Sequence, residues 1–216
     1  MTGPAVAGLA GRLGFAITVP ATWFEIDVAP ATRDESIRRL VEERARGDQR
    51  MWEARKATTR LLQQQAARAW DAGATYAACL VHPTDDGPVT ASVVVSLVRG
   101  PVGATAEGEP TQALLERLSP VAPTEDGRFT TVTTVVLEGA GRCARTFGVE
   151  DVPVGDGYVR TVLMQTFVPV PGLNKVFLVS ASSPVLPLQA ELLDLFDAIT
   201  GTFRLVPLDA TEVVTP

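Results

Sequence analysis

Histidine is almost missing from this chain, with His82 alone among 216 residues, and cysteine is limited to Cys79 and Cys143. That scarcity excludes most metal chemistry. A protein metal site needs three or four converging ligands, and there is no second histidine and no C-x-x-C pair to supply them. His82 with the nearby Asp85 and Asp86 is the one grouping that could hold an ion; a strand-end histidine beside an acidic turn is the simpler reading. The two cysteines lie 64 positions apart and read as buried, reduced thiols in strands. Neither a metal nor a cofactor is expected. Long apolar runs are absent too: the longest are strand-sized, well short of the roughly 18 residues of a membrane helix. Residues 1–14 lack both a charged lead and a true apolar stretch. No membrane span and no signal peptide is therefore expected, and the default compartment is the cytoplasm.

Motifs that would announce a reaction are missing as well. There is no G-x-S-x-G elbow to make His82 part of a nucleophilic triad, and no phosphate-binding G-x-x-x-x-G-K-[ST] loop. The acidic pairs Glu42-Glu43, Asp85-Asp86, Glu125-Asp126 and Glu150-Asp151 fall where helix faces or turns are expected, which makes them solvated surface rather than a glycosidase pair. Gly139-Ala140-Gly141-Arg142-Cys143-Ala144 fits G-x-G-x-x-A. A dinucleotide site would need a helix to start there, with its N-terminus turned to a pyrophosphate. Residues 142–147 are short and β-prone, and Pro153 would stop a helix soon after. A hairpin turn is the expected structure. An enzyme is not expected.

Lysine is scarce in turn. Of 19 basic residues 17 are arginine, as in proteins of high-GC genomes. The net charge of −6 and pI near 4.9 argue against nucleic-acid binding by the whole surface. The charge is uneven, however. Residues 33–68 carry ten basic and six acidic groups, +4 in all, which leaves −10 elsewhere.

What is present is an ordinary globular composition, 46% apolar and 20% charged. The length suits one domain, with residues 1–13 as a flexible lead, 14–206 as the domain and 207–216 as a polar tail. Residues 15–19 alternate and stop at Pro20, and residues 23–28 stop before Pro30; both read as short strands. Thr32 and Glu35 have the spacing of a capping box. Ile37, Leu40, Val41 and Ala45 then share one face, and Gly47 suits a C-terminal cap. Asp48 can cap a second helix, in which Met51, Ala54, Thr58, Leu62, Ala66 and Ala69 keep helical spacing up to Gly73. Residues 33–72 are thus a helical hairpin or one kinked helix. Strands are expected over 75–82, 89–98, 128–137, 142–147, 158–168 and 175–181. Turn-forming runs at 83–88, 139–141 and 169–172 join neighbours as hairpins. Short helices at 111–118 and 188–200 and a last strand at 202–205 complete the series. Consecutive hairpins make the sheet mainly antiparallel, and helices in blocks make the class α+β.

The order of elements resembles the PsbP-like family. Phe15-Ala16-Ile17-Thr18-Val19-Pro20-x-x-Trp23 is similar to its "f-x-i-x-vP-x-gW" opening. Leu193, Phe196, Ile199, Thr202, Phe203 and Arg204 are similar to its closing L-x-x-F-x-x-I-x-x-T/S-F-R. Residues 137–142 look like its hairpin ahead of the long strand. The resemblance implies an α/β/α sandwich around a central, twisted, mainly antiparallel sheet with helices on its faces. That fold is shared with the yeast Ran-binding Mog protein and the mycobacterial LpqN lipoproteins. It also implies a non-catalytic binding or assembly protein; no functional residues carry over, because the shared motifs are structural. The chain departs from those lipoproteins in its expected lack of a lipid anchor and in its enlarged basic helical segment.

Two functions follow as expectations. One is a protein-interaction or adaptor module accessory to a secretion or assembly system. Arg38, Arg39, Arg46, Arg50 and Trp52 would form its docking face for an acidic protein partner. The same arginines also fit a solvated helix laced with i,i+4 pairs such as Glu35–Arg39 and Glu42–Arg46. The other is a small-molecule-binding domain with a pocket between sheet and helices. A homodimer is allowed, and an exposed apolar strip on an edge strand or around Trp52 would be its mark.

Overall fold

The computed structural model describes residues 5–10, 13–47, 49–82, 84, 89–101, 110–154 and 156–207. Asp48, Asp85, Asp86 and most of the 83–88 and 100–110 connections lie outside them, as does the tail beyond 207. The strands are β1 (Ala5–Ala10), β2 (Leu13–Ile17), β3 (Phe24–Ile26), β4 (Ala74–His82), β5 (Val89–Arg99), β6 (Phe129–Leu137), β7 (Gly141–Val154), β8 (Gly157–Pro169), β9 (Lys175–Ser183) and β10 (Arg204–Pro207). The helices are α1 (Arg33–Arg44), α2 (Gln49–Asp71), α3 (Pro110–Leu115) and α4 (Gln189–Gly201).

Seven strands form one sheet in the order β3-β4-β5-β9-β8-β7-β6, with every neighbouring pair antiparallel. The α+β class and the antiparallel sheet are as the hairpin pattern predicts, and the sandwich is as the PsbP-like resemblance implies. A separate three-stranded sheet, β1-β2-β10, is not predicted by it. β1 occupies the expected flexible lead, where it pairs with β2. Its Ala-Val-Ala-Gly-Leu-Ala run carries no strong strand signal of its own, so the pairing decides its structure.

Period two sorts the large sheet into two faces. Ala78, Val93, Val95, Val162, Met164, Phe177, Val179 and Ala181 look to one side, where they meet Leu192, Phe196 and Ile199 of α4 and Phe15 and Ile17 of β2. Cys79, Ala77 and Ala74 look to the other side, against Leu62, Ala66 and Ala69 of α2 and Ile37 and Val41 of α1. The α3 helix sits on that second side at the far end, where Leu114 packs with Ala144 and Val176. Gly47 and Gly73, both at positive φ, close α1 and α2 into a hairpin. The capping box does not form. Thr32 makes no cap to its own helix and instead donates its hydroxyl to Asp27.

β7 is longer than its sequence suggests. It runs through Pro153 because β8 pairs with it along its whole length, to Val154↔Gly157. Glu150 and Asp151 therefore lie in a strand and not in a turn. Arg160 of β8 reaches Asp151 at 2.9 Å and Asp126 at 3.2 Å. Its hydrogen bonding to Asp151 holds that carboxyl below the usual range. Asp126 is also held low, by hydrogen bonds from Thr124 and Arg128.

One charge is buried among the described residues. Arg145 of β7 points toward α4 with its side chain only 6% exposed. Its Nε donates to Thr166 Oγ1 at 2.9 Å, and Nη1 bonds Asp197 on α4. Nη2 has no hydrogen-bond partner among the described residues. A buried cation held this way stabilises little, and a well-packed apolar side chain of similar length often does as well or better. Arg145→Met should therefore unfold in urea at or above the wild-type midpoint. Asp197→Ala, which leaves the cation with less compensation, should lose about 1–3 kcal/mol. A more severe loss from Arg145→Met than from Asp197→Ala would reverse this ranking.

Candidate functional site

Among the described residues, the second face of the large sheet is covered at its two ends only. The register sets Ser92 of β5, Ser182 of β9 and Leu163 of β8 in one row, with Val94, Ser180 and Gln165 in the next. All but Leu163 are half-buried, because this strip lies between α2 and α3. Serines and a glutamine at inward strand positions would be a poor choice for a packed interface. Here they floor an open groove.

The groove has a volume of about 520 Å³. One wall is α2, where Leu61, Gln65 and Arg68 succeed each other at helical spacing beside the buried stripe. The opposite wall is the far end of the β7–β8 hairpin, with Val152, Pro153 and Val159. The extension of β7 through Pro153 thus builds the wall. On the floor Ser92 Oγ and Ser182 Oγ share a hydrogen bond of 3.0 Å. The Ser180 hydroxyl and the Gln165 amide have no hydrogen-bond partner among the described residues.

The reactive groups near the groove are few. Its described lining contains no carboxylate and no histidine, and Arg68 is its one charge. No described residue of the lining gives the serines a base. Cys79 borders the groove, but burial pushes its thiol up to about 12, so it stays protonated near neutral pH. Cys143 is pushed up to about 11, also by burial, with Arg145 acting against it. Both cysteines are free and buried, as their sequence context suggests. No group of three His, Cys, Asp or Glu side chains gathers among the described residues. His82 is exposed at the end of β4, with Asp85 and Asp86 outside the described residues. Gly139-Ala140-Gly141 is the β6–β7 turn. Gly141 has φ +82°, and the backbone of Arg204 comes so close that a Cβ at Gly139 would lie 2.8 Å from its Cα. The G-x-G-x-x-A match thus reflects a hairpin and a close strand approach.

The predicted docking residues spread over three local settings. On α1, Arg38 pairs with Glu35 at 2.6 Å and Glu42 at 2.9 Å, and Arg39 reaches Glu35 at 3.4 Å. The Glu35 carboxyl is lowered chiefly by its hydrogen bond from Arg38. Arg46 lies in the connection between the helices, and Arg50 and Trp52 in the first turns of α2. Trp52 is 44% exposed, with the Arg55 guanidinium 4.0 Å over its ring. Trp70, five turns further along α2, is equally exposed. The sequence reading did not single it out, although a spacing of 18 residues returns a helix to the same side.

Fold and groove together define the class: an α+β sandwich with an open, polar-floored groove between its sheet and a long helix. No family model matches the chain, and no curated protein matches it. Among solved structures it is similar to LpqN of Mycobacterium tuberculosis, a protein described as involved in cell envelope biogenesis. Identity is 14% and the TM-score 0.48, over 94% of this chain and 90% of that one. The likeness is one of fold. It does not extend to membership of the PsbP-like family. No helix among the described residues is long and apolar enough to cross a membrane.

Proposed function

We propose that the protein binds a small molecule in the groove between α2 and the β7–β8 hairpin, without turning it over. The observation that carries this is the floor: Ser180 and Gln165 present hydrogen-bonding groups that no described residue uses, at the base of a cavity of about 520 Å³ whose walls are apolar apart from Gln65 and Arg68. Ligand sites are concave, mostly apolar, about 300–1,000 Å³ in size, and oriented by a few polar groups. The ligand class that fits is a neutral or singly acidic molecule. Hydroxyl and amide groups would bond to its polar side, Leu61, Val152 and Val159 would cover its apolar side, and Arg68 would accept one negative charge. Binding without reaction is supported by the lack of a base in the described lining and by the protonated state of Cys79.

The adaptor reading has less behind it. Arg38 and Arg39 already meet Glu35 and Glu42, so an acidic partner would compete with intrahelical pairs, each worth about 0.2–0.5 kcal/mol. Its remaining support is the pair of exposed indoles on α2.

Native mass spectrometry of protein purified from its own host tests the proposal. A retained mass of a few hundred daltons is expected, and Ser180→Phe, which fills the half-buried floor, should lose it while still folding, at an overpacking cost of about 1–3 kcal/mol. A wild-type spectrum with no added mass, or an added mass that survives Ser180→Phe, would overturn it.

A further inference from the structure

The β6 strand is the end of the large sheet, and among the described residues the middle of its outer edge is open. Thr130 turns its N–H and C=O outward, where both bond to Val121 at 2.9 Å. Period two then aims the same groups of Val132, Thr134 and Val136 outward. Among the described residues no strand pairs with them. One long contact, 3.5 Å from Thr133 Oγ1, reaches the Thr134 carbonyl. The open window is bounded by Val121 at one end and by the Gly139↔Arg204 bridge at the other.

Edge strands are ordinarily protected by a charge, a proline or a bulge. The Phe-Thr-Thr-Val-Thr-Thr-Val-Val-Leu sequence of β6 has neither charge nor proline, and its register with β7 is unbroken. Val136 is 70% exposed, and Val121 beside the window is also exposed.

We propose that this edge pairs with the same edge of a second copy of the chain, antiparallel about a two-fold axis at Thr134. An isologous contact requires a self-complementary surface, and this window meets that need group by group. Thr134 lies opposite its own equivalent and Val132 opposite Val136. Every outward donor and acceptor of the three residues then finds a partner, roughly six interchain bonds in total. On one face Val136 is covered by Val132 of the other copy. On the other face Thr133 lies opposite Val135, another β-branched pair of the kind that stabilises cross-strand contacts. No like charges meet, because the window has none. The axis cannot move toward Thr130, where Val121 already occupies the edge. With only five residues in contact, the interface belongs to the weak class below about 1,200 Å², so the dimer forms at high concentration and dissociates on dilution. This inference is independent of the groove, which lies further in on the sheet.

Sedimentation velocity of the full chain between about 5 and 500 µM tests it, a range suited to a weak interface. The wild type should move from monomer toward dimer across that range. Thr134→Pro removes an outward N–H that no described residue accepts from, and proline is tolerated on an edge. Val136→Lys leaves the backbone intact and puts a charge on the edge. Each should weaken association at least tenfold, with Val136→Lys decisive if the proline variant proves unstable. A wild type that stays monomeric throughout, or variants that associate as well as wild type, would overturn the proposal.

Discussion

Gly148→Ala should be among the most damaging single-atom additions in the molecule. Gly148 lies in the middle of β7, opposite Thr130 of β6. A Cβ built there would stand 1.9 Å from the carbonyl oxygen of Phe129 and 2.8 Å from its carbon. Both are backbone atoms, so no side chain can swing aside; β6 itself has to move away from β7. Its outer side offers no room for compensation, since Thr130 is bonded to Val121 on that side. Overpacking typically costs about 1–3 kcal/mol, and a clash with backbone belongs at or above the top of that range. For a chain of this size each kcal/mol shifts the melting temperature by roughly 2–4 °C. Thermal unfolding followed by circular dichroism should therefore show a fall of about 6 °C or more, at the upper end of that scale. Because β6 is displaced, amide exchange over 129–137 should rise most. A variant with wild-type melting and wild-type exchange would mean that β6 does not approach Gly148 this closely in solution.

The contrast between β6 and the groove explains what could be read from sequence and what could not. β-rich runs with turn residues between them were legible: residues 128–137, the Gly139–Gly141 turn, and the β8–β9 pair around Gly172. So was the α1–α2 hairpin, because Ile37, Val41, Leu62, Ala66 and Ala69 hold helical spacing and Gly47 and Gly73 punctuate it. Local signals carry such elements. Partner-dependent elements were not legible. β1 is a strand only because β2 lies beside it, and β7 passes Pro153 only because β8 pairs with it to the end. The groove is harder still. Its floor takes Ser92, Ser180, Ser182 and Gln165 from three strands, and no single segment reveals that they meet. A signal did exist: Ser92, Gln165, Ser180 and Ser182 fall within β-rich runs at positions where a buried polar group is costly unless it has a use. The arginines of α1 allowed two readings, a docking face and a helix laced with ion pairs. They stand out in the composition, yet Glu35 and Glu42 occupy Arg38 and Arg39 within the same helix.

Phe15→Ala should cost still more than Gly148→Ala. Phe15 belongs to β2 in the small sheet, but its ring is the hub of an aromatic cluster that ties that sheet to the large one. It stacks on Phe203, which leads into β10, at 5.5 Å between centroids. It meets Phe177 of β9 at 5.3 Å and Tyr76 of β4 at 6.3 Å, both edge-on. All four are buried, with Phe15 at 0% exposure. Removing a buried phenyl ring costs about 3–5 kcal/mol through lost transfer energy and the cavity left behind, and the three ring contacts place this site toward the top of that range. The melting temperature should fall by roughly 10–20 °C. The loss also has a direction. The cluster is on the α4 side of the large sheet, whereas the groove floor is on the α2 side. Below its melting point Phe15→Ala should therefore keep the ligand-binding capacity that Ser180→Phe removes, while amide protection in β2 and β10 drops first. If Phe15→Ala melted within a few degrees of wild type, the two sheets would not be joined through these rings. If it lost ligand while still folded, the groove would depend on the small sheet across the thickness of the large one, and the assignment of binding to the α2 face would have to be redrawn.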